Sequence, residues 1–354
     1  AGSGDFVLRN ISITNSDSQA FLIKGDNSRV ENSLFEDIDW AATEAYSPSA
    51  SIVFHGNNTL LSRNTIRNAG TSETIATATL GSAVNSSITA EYNDIYHTGY
   101  AQSDGAQLQI RIEAQDGTVI HHNWLHDTPK YGFRFDAPVA AASWGDNGFS
   151  HHNVVWNSSG ANPKGDNDRH YNNLLFDNTD IDLIVLNEQA TNGDWSNELT
   201  KTVNNAADSI SGHRKNEVSV PGTVGSNFNG TYESVLLKDL IRDPNNHDFR
   251  PAVGSSLVDA GDVISDADFS HPTIGAASDL GAYENEDTHY WIPGRKEKNA
   301  SYPIPFNNAT DIKGQIDLIW KEAYQATEHK LYFGTSSTSL TKVGTFTNSN
   351  IHSL

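Results

Sequence analysis

Seven short segments share one pattern: asparagine, any residue, an apolar residue, then often an aromatic. They are Asn10-Ile-Ser-Ile, Asn32-Ser-Leu-Phe, Asn64-Thr-Ile-Arg, Asn93-Asp-Ile-Tyr, Asn123-Trp-Leu-His, Asn153-Val-Val-Trp and Asn173-Leu-Leu-Phe, spaced by 22, 32, 29, 30, 30 and 20 residues. Between them lie short alternating runs and turn tripeptides such as Asn-Ala-Gly, His-Thr-Gly and Ser-Ser-Gly. Each unit therefore reads as strand, turn, strand, with no length left for a crossover helix. A strand that returns every 20 to 32 residues without helices describes a coil whose turns stack in parallel. The recurrent asparagine is then expected to form a ladder at one corner, where stacked amides satisfy backbone groups left over by the turn.

Composition agrees with this reading and excludes several partners. A chain of 354 residues with 36% hydrophobic content and 27 glycines suits many short strands joined by tight turns, built as one long solenoid plus a smaller module. Lysine and arginine total 23 against 44 acidic residues, a net charge of −21, which repels nucleic acid and anionic membranes. An anionic glycan would be repelled too unless basic residues gather locally. There is no cysteine, so disulfides and zinc–thiolate sites are excluded. No apolar run reaches the length of a membrane span, and the chain opens without a signal peptide, so a mature or trimmed soluble monomer is expected.

On these segments the sequence resembles the pectate-lyase-like superfamily of right-handed parallel β-helices, over roughly residues 5 to 285. Phe249-Arg-Pro, Gly254-Ser-Ser-Leu-Val-Asp-Ala-Gly and Asp279-Leu-Gly-Ala-Tyr-Glu284 are similar to the closing segment of bacterial extracellular members. The resemblance implies an all-β chain, secreted or at the surface of a bacterium, and a polysaccharide partner. Pro303-Ile-Pro, Ile316-Asp-Leu-Ile-Trp320 and Leu331-Tyr-Phe-Gly-Thr resemble the first strands of a fibronectin type III module, a partial β-sandwich that the chain leaves at Leu354 before it closes. The expected organisation is a catalytic β-helix over 1–285, a linker over 286–300 and the partial module over 301–354.

Alternation then assigns faces. In Gln107-Leu-Gln-Ile-Arg-Ile-Glu113 the apolar positions point inward, so Gln107, Gln109, Arg111 and Glu113 are expected outside. One turn later Arg134 and Asp136 are outward, and the polarity of Lys164-Gly-Asp-Asn-Asp-Arg169 also implies exposure. Coils stacked about 4.8 Å apart would merge these into one patch holding Glu113, Asp136, Asp166 and Asp168 with Arg111, Arg134, Lys164 and Arg169. His121-His122-Asn123 and His151-His152-Asn153 lie 30 residues apart, which stacks an outward His122 on His152. Near neutrality such histidines bind sugar or move a proton. Trp144 is the expected sugar platform.

Four carboxylates over three coils favour a glycoside hydrolase, which needs one protonated and one ionised carboxyl, with Asp136, Glu113 and Asp166 as candidates and His122 beside them. The substrate expected is an acidic or sulfated algal polysaccharide, since high acidity without cysteine suggests a marine bacterium. A lyase is the first alternative: it needs a base, for which Arg134, Lys130, Lys164 or His122 could serve, and a cation to neutralise the uronate carboxyl. A non-catalytic sugar-binding or adhesin solenoid is the second. Neither a pectate-lyase Arg-x-Pro-x-x-Arg nor a polygalacturonase motif set occurs, so no catalytic residue carries over from either family. Asp166, Asn167 and Asp168 offer oxygen ligands for calcium; nothing signals a nucleotide or redox cofactor.

Overall fold

The structure, a computed structural model, describes residues 5–40, 50–71, 73–76, 87–102, 104–137, 144–271, 273–310, 312 and 316–354. The chain winds as a parallel β-helix with three faces. The first is a nine-stranded parallel sheet in which Val7, Arg29, Leu60, Thr89, Val119, Phe149, Arg169, Lys201 and Thr223 pair in succession. The second, also nine-stranded, aligns Ile13, Phe35, Ile66, Ile95, Leu125, Val155, Leu175 and Ala207. The third is a five-stranded sheet from Phe21–Lys24 to Tyr131–Asp136, continued beyond Phe133 by bridges through Ala161 to Leu183. No helix among the described residues is long and apolar enough to cross a membrane.

Side chains of the three faces meet in one apolar column, Val30, Leu61 and Ile120 against Phe35, Ile95 and Leu125 and against Leu108, Ile110, Phe133 and Phe135, all buried. Parallel stacking leaves each corner with unpaired amides and carbonyls, and the asparagine ladder takes them up. The Oδ1 atoms of Asn93, Asn123, Asn153 and Asn173 accept from the main-chain N–H one coil back at 3.0, 2.9, 3.2 and 3.1 Å. Asn205 and Asn227 extend the ladder by two coils that the repeat search missed.

Asn10 and Asn32 belong elsewhere. The ladder position in those coils is held by Ile11 and Ser33, and Asn10 and Asn32 sit one residue earlier, at a left-handed corner with φ of 58° and 48°. Arg63, Tyr92, His122, His152, Asn172 and Asn204 occupy the same corner with φ between 48° and 59°. Asparagine suits both positions, which is why sequence alignment merged them.

The stretch expected as a linker is packed. Tyr290 is buried, and the segment runs back over the corner: Gly294 N donates to Tyr92 O (2.7 Å), Arg295 N to Thr65 Oγ1 (3.0 Å) and Lys296 N to Asn32 Oδ1 (2.7 Å). A second core forms outside the coil, where Trp124, Val154, Trp156, Leu174 and Phe176 meet Phe249, Tyr283, Ile292, Ile304 and Ile319. The second sheet is thus covered on both sides. Beyond it Ser301–Ile304, Asp317–Lys321 and Ile351–Ser353 form an antiparallel sheet beside the hairpin His329–Ser336 and Ser339–Phe346. Buried Arg250 fastens this region to the coil by gripping Asp248 (2.8 and 2.7 Å) and Asp317 (2.7 Å).

Candidate functional site

On the third face Ala106–Arg111 and Tyr131–Asp136 pair in parallel, Gln109 beside Arg134 and Arg111 beside Asp136. Leu108, Ile110, Phe133 and Phe135 point inward, and the alternate positions form a polar cluster on the other side of the sheet in which Gln109, expected outside, and Arg134 are buried while Arg111 and Asp136 are partly exposed. Arg134 bridges two carboxylates, Nη1 to Asp104 Oδ1 at 2.8 Å and Nη2 to Asp136 Oδ1 at 2.9 Å. Gln109 Nε2 donates to Asp136 Oδ2 at 2.7 Å. Lys164, arriving from the next coil, ion-pairs with Asp136 and donates to Ala137 O at 2.6 Å. Asp104 was missed in the sequence, although it stands in an Asp-Gly turn directly before the strand.

Electrostatics sets the protonation of this cluster. Burial pushes the Asp136 carboxyl up, but Arg134 and Lys164 outweigh it and hold the group below the usual carboxylate range. Asp104 is held low in the same way, burial being overcome by Arg134. Burial and the Arg134 charge draw the Lys164 ammonium down against Asp136. Half-buried Lys130, at the turn leading into the strand, is also drawn down by burial, with Asp104 opposing. Among the described residues, the cations Arg111, Lys130, Arg134 and Lys164 gather about the carboxylates Asp104 and Asp136 on an acidic chain.

Several expected members lie elsewhere. Gln107 is not outward: it is buried, and its Nε2 donates to Ile95 O and His126 O, both at 2.9 Å. Lys164 and Asp168 are buried, not exposed. Asp166 and Asp168 do not converge on a calcium: Asp166 Oδ1 accepts from Leu199 N (2.8 Å), and Asp168 Oδ1 turns inward to Gly148 N (2.7 Å), with burial raising its carboxyl well above the usual range. The left-handed Asn167 between them (φ 51°) separates the two directions. Arg169 belongs to the first face, where it stacks on Phe149 (4.3 Å) and pairs with Asp266 and Asp268. Trp144 is half-buried, its indole N–H bound to Asp194 O (3.0 Å); residues 138–143 before it and the side chain of Glu113, in the single 3-10 turn Ile112–Ala114, lie outside the described residues.

His122 and His152 do stack, at 4.8 Å, but on the corner between the first and second faces, away from the third. The chain from 260 to 296 covers them: Trp291 meets His122 edge-on at 5.0 Å, and Phe269 and His271 pack on His152. Burial drives both imidazoles well below their usual range. The closing motif explains part of the cover, since Glu284 Oε1 accepts from Asp279 N (2.9 Å) and from His271 Nε2 (2.5 Å).

Hollows of about 430 Å³ lie beside Arg242, Asp248 and Asp317 and beside Pro303, Trp320 and Leu331, and smaller ones of about 280 and 290 Å³ lie beside Asn172, Phe269 and His271 and beside Ile210, Val224 and Tyr232. No family model matches the chain, and no curated protein matches it. Among solved structures it is similar to the crystal structure of the pectate lyase Pel9A, with 14% identity over 79% of this chain and 87% of that chain and a TM-score of 0.32. The fold rests on the strand registers themselves.

Proposed function

We propose that this protein is a secreted polysaccharide-degrading enzyme that cleaves a uronate-containing glycan by β-elimination on the third face of the coil. The observation that carries this reading is the charge state of the cluster. Both described carboxylates are tied to cations and held ionised, so neither is poised as the protonated acid that glycoside hydrolysis requires. The gathered cations fit a substrate carboxylate.

In this mechanism Arg134, fixed by Asp104 and Asp136, and Arg111 beside it bind the uronate carboxylate and stabilise charge that develops on it. Lys130, the half-exposed amine with a lowered pKa, removes the proton α to that carboxyl, and the glycosidic oxygen departs from the β carbon to leave an unsaturated uronate. Lys164, beneath Asp136, balances the second carboxylate. The fibronectin-like reading of 301–354 belongs to the same proposal, as a module appended to the enzyme.

The test is a panel of uronate and sulfated glycans followed for ultraviolet absorbance of the unsaturated product and for new reducing ends. Wild type is expected to give both signals, and Lys130→Ala to lose about 10²- to 10⁴-fold in rate, the usual contribution of a general base. Reducing ends without the absorbance would overturn elimination in favour of hydrolysis. Silence on both would leave a binding solenoid.

A further inference from the structure

The left-handed corner of each coil is filled well by asparagine, as at Asn172 and Asn204, yet two successive coils place a histidine doublet there. His121 and His122 face each other through Nδ1 atoms 2.8 Å apart, and one coil on His151 and His152 do the same at 2.9 Å. Parallel stacking lays the pairs over one another, His121 on His151 at 4.7 Å and 3°, His122 on His152 at 4.8 Å and 12°. A ligand nitrogen from each of His121, His122 and His151 falls within 4.8 Å of the others.

We propose that His121, His122 and His151 bind one divalent transition-metal ion of the zinc class between two coils, with His152 stacked beside them. Zinc bound by imidazoles at about 2.0–2.1 Å in a tetrahedron sets its nitrogens about 3.3 Å apart. Within a coil the Nδ1 atoms are 2.8 and 2.9 Å apart, and the ligand nitrogens of His121, His122 and His151 all lie within 4.8 Å of one another, a range that includes that value. Imidazole nitrogen without thiolate or carboxylate ligands selects the zinc, copper and nickel group over calcium or magnesium.

The surroundings are those of ligating histidines, whose second nitrogen is ordinarily held by a carboxylate. His121 Nε2 lies 3.2 Å from Glu91 Oε2. His152 Nε2 lies 2.8 Å from His271 Nδ1, and His271 Nε2 is 2.5 Å from Glu284 Oε1. Each pair of rings is therefore backed by a glutamate, directly on one side and through a fifth histidine on the other. Tyr92 stacks on His122 at 4.7 Å and Phe269 on His152 at 5.7 Å, giving the site an apolar wall, while His121 keeps 16% side-chain exposure as a route in.

The experiment strips the full chain with chelator and titrates it with Co²⁺, then Zn²⁺. One equivalent of Co²⁺ is expected to bind with the intense visible absorption of a tetrahedral nitrogen site. Zn²⁺ is expected to displace it and raise the melting temperature, with chelator reversing the rise. His121→Gln should abolish the signal, and Glu91→Gln, which leaves every ligand nitrogen in place, should weaken binding about 10- to 100-fold. His97→Gln, at a half-exposed histidine elsewhere, should change nothing. Absence of saturable Co²⁺ binding in the wild type, or unchanged affinity in both His121→Gln and Glu91→Gln, overturns the site.

Discussion

The third face and the histidine corner begin from the same cue, polar side chains at outward positions of successive coils, and end differently. On the third face buried Gln109 and Arg134 and partly exposed Asp136 bond to one another. At the corner His122 and His152 lie under Trp291, Phe269 and His271, supplied by chain more than a hundred residues further on. Alternation tells inside from outside within a coil; it carries nothing about what a distant segment lays over the outside. Outward is therefore two environments, one a network of charges and amides bonded to one another and one a second apolar core.

Removing the cover's anchor should separate the two most sharply. Trp124 is fully buried beneath the closing segment, its indole N–H on Tyr283 Oη (3.0 Å) and its ring against Phe249 (5.2 Å). Trp124→Ala is expected to cost about 3–5 kcal/mol, as deletion of a large core aromatic does, measured by urea unfolding. Limited proteolysis should then open the chain between 260 and 300. A loss below about 1 kcal/mol would mean that the segment merely overlies the corner, and the contrast with the third face would collapse.

A smaller effect compares one amide from each region. Asn123, under the corner, donates to Ala90 O and Asn153 Oδ1 (both 2.9 Å) and accepts from Asn93 N (2.9 Å). Asn123→Ala leaves several buried groups unpaired and should cost about 3 kcal/mol, against about 1–2 kcal/mol for Gln109→Ala, which frees one side of a carboxylate that Arg134 and Lys164 still hold. Equal losses would show that the third-face cluster is as much a part of the framework as the ladder.

The coil was legible because its cause is local and periodic. The ladder asparagines from Asn64 to Asn173, and the inward Leu108, Ile110, Phe133 and Phe135, follow from spacing and alternation alone. The site was legible in part: Arg111, Arg134, Asp136 and Lys164 fall in one cluster, while Arg169 was drawn to Asp266 and Asp268 by a contact spanning about a hundred residues. Gln107 failed for a local reason, since a strand end at a corner turns a side chain towards free carbonyls whatever the alternation predicts. His271 and Glu284 were visible only as parts of a closing motif whose hydrogen bonds the sequence does not display.

The third face also hides charge in its later coils, and pH reads it. Asp182, just before the strand that continues this face, is buried with Asn178 Nδ2 on Oδ1 and Ser209 Oγ on Oδ2, both at 2.7 Å. Burial, against those two hydrogen bonds, pushes its carboxyl up to about 7. The unfolded chain titrates near 3.9, so between those values the folded state binds the extra proton. Its contribution is complete below about pH 4 and is lost as pH rises through about 7. Stability should fall on the order of 2 kcal/mol between pH 5 and pH 7 from this residue, and Asp182→Asn, neutral throughout, should flatten that part of the profile. An unchanged slope in the variant would place the pH response outside Asp182 and leave the two regions distinguished by cover alone.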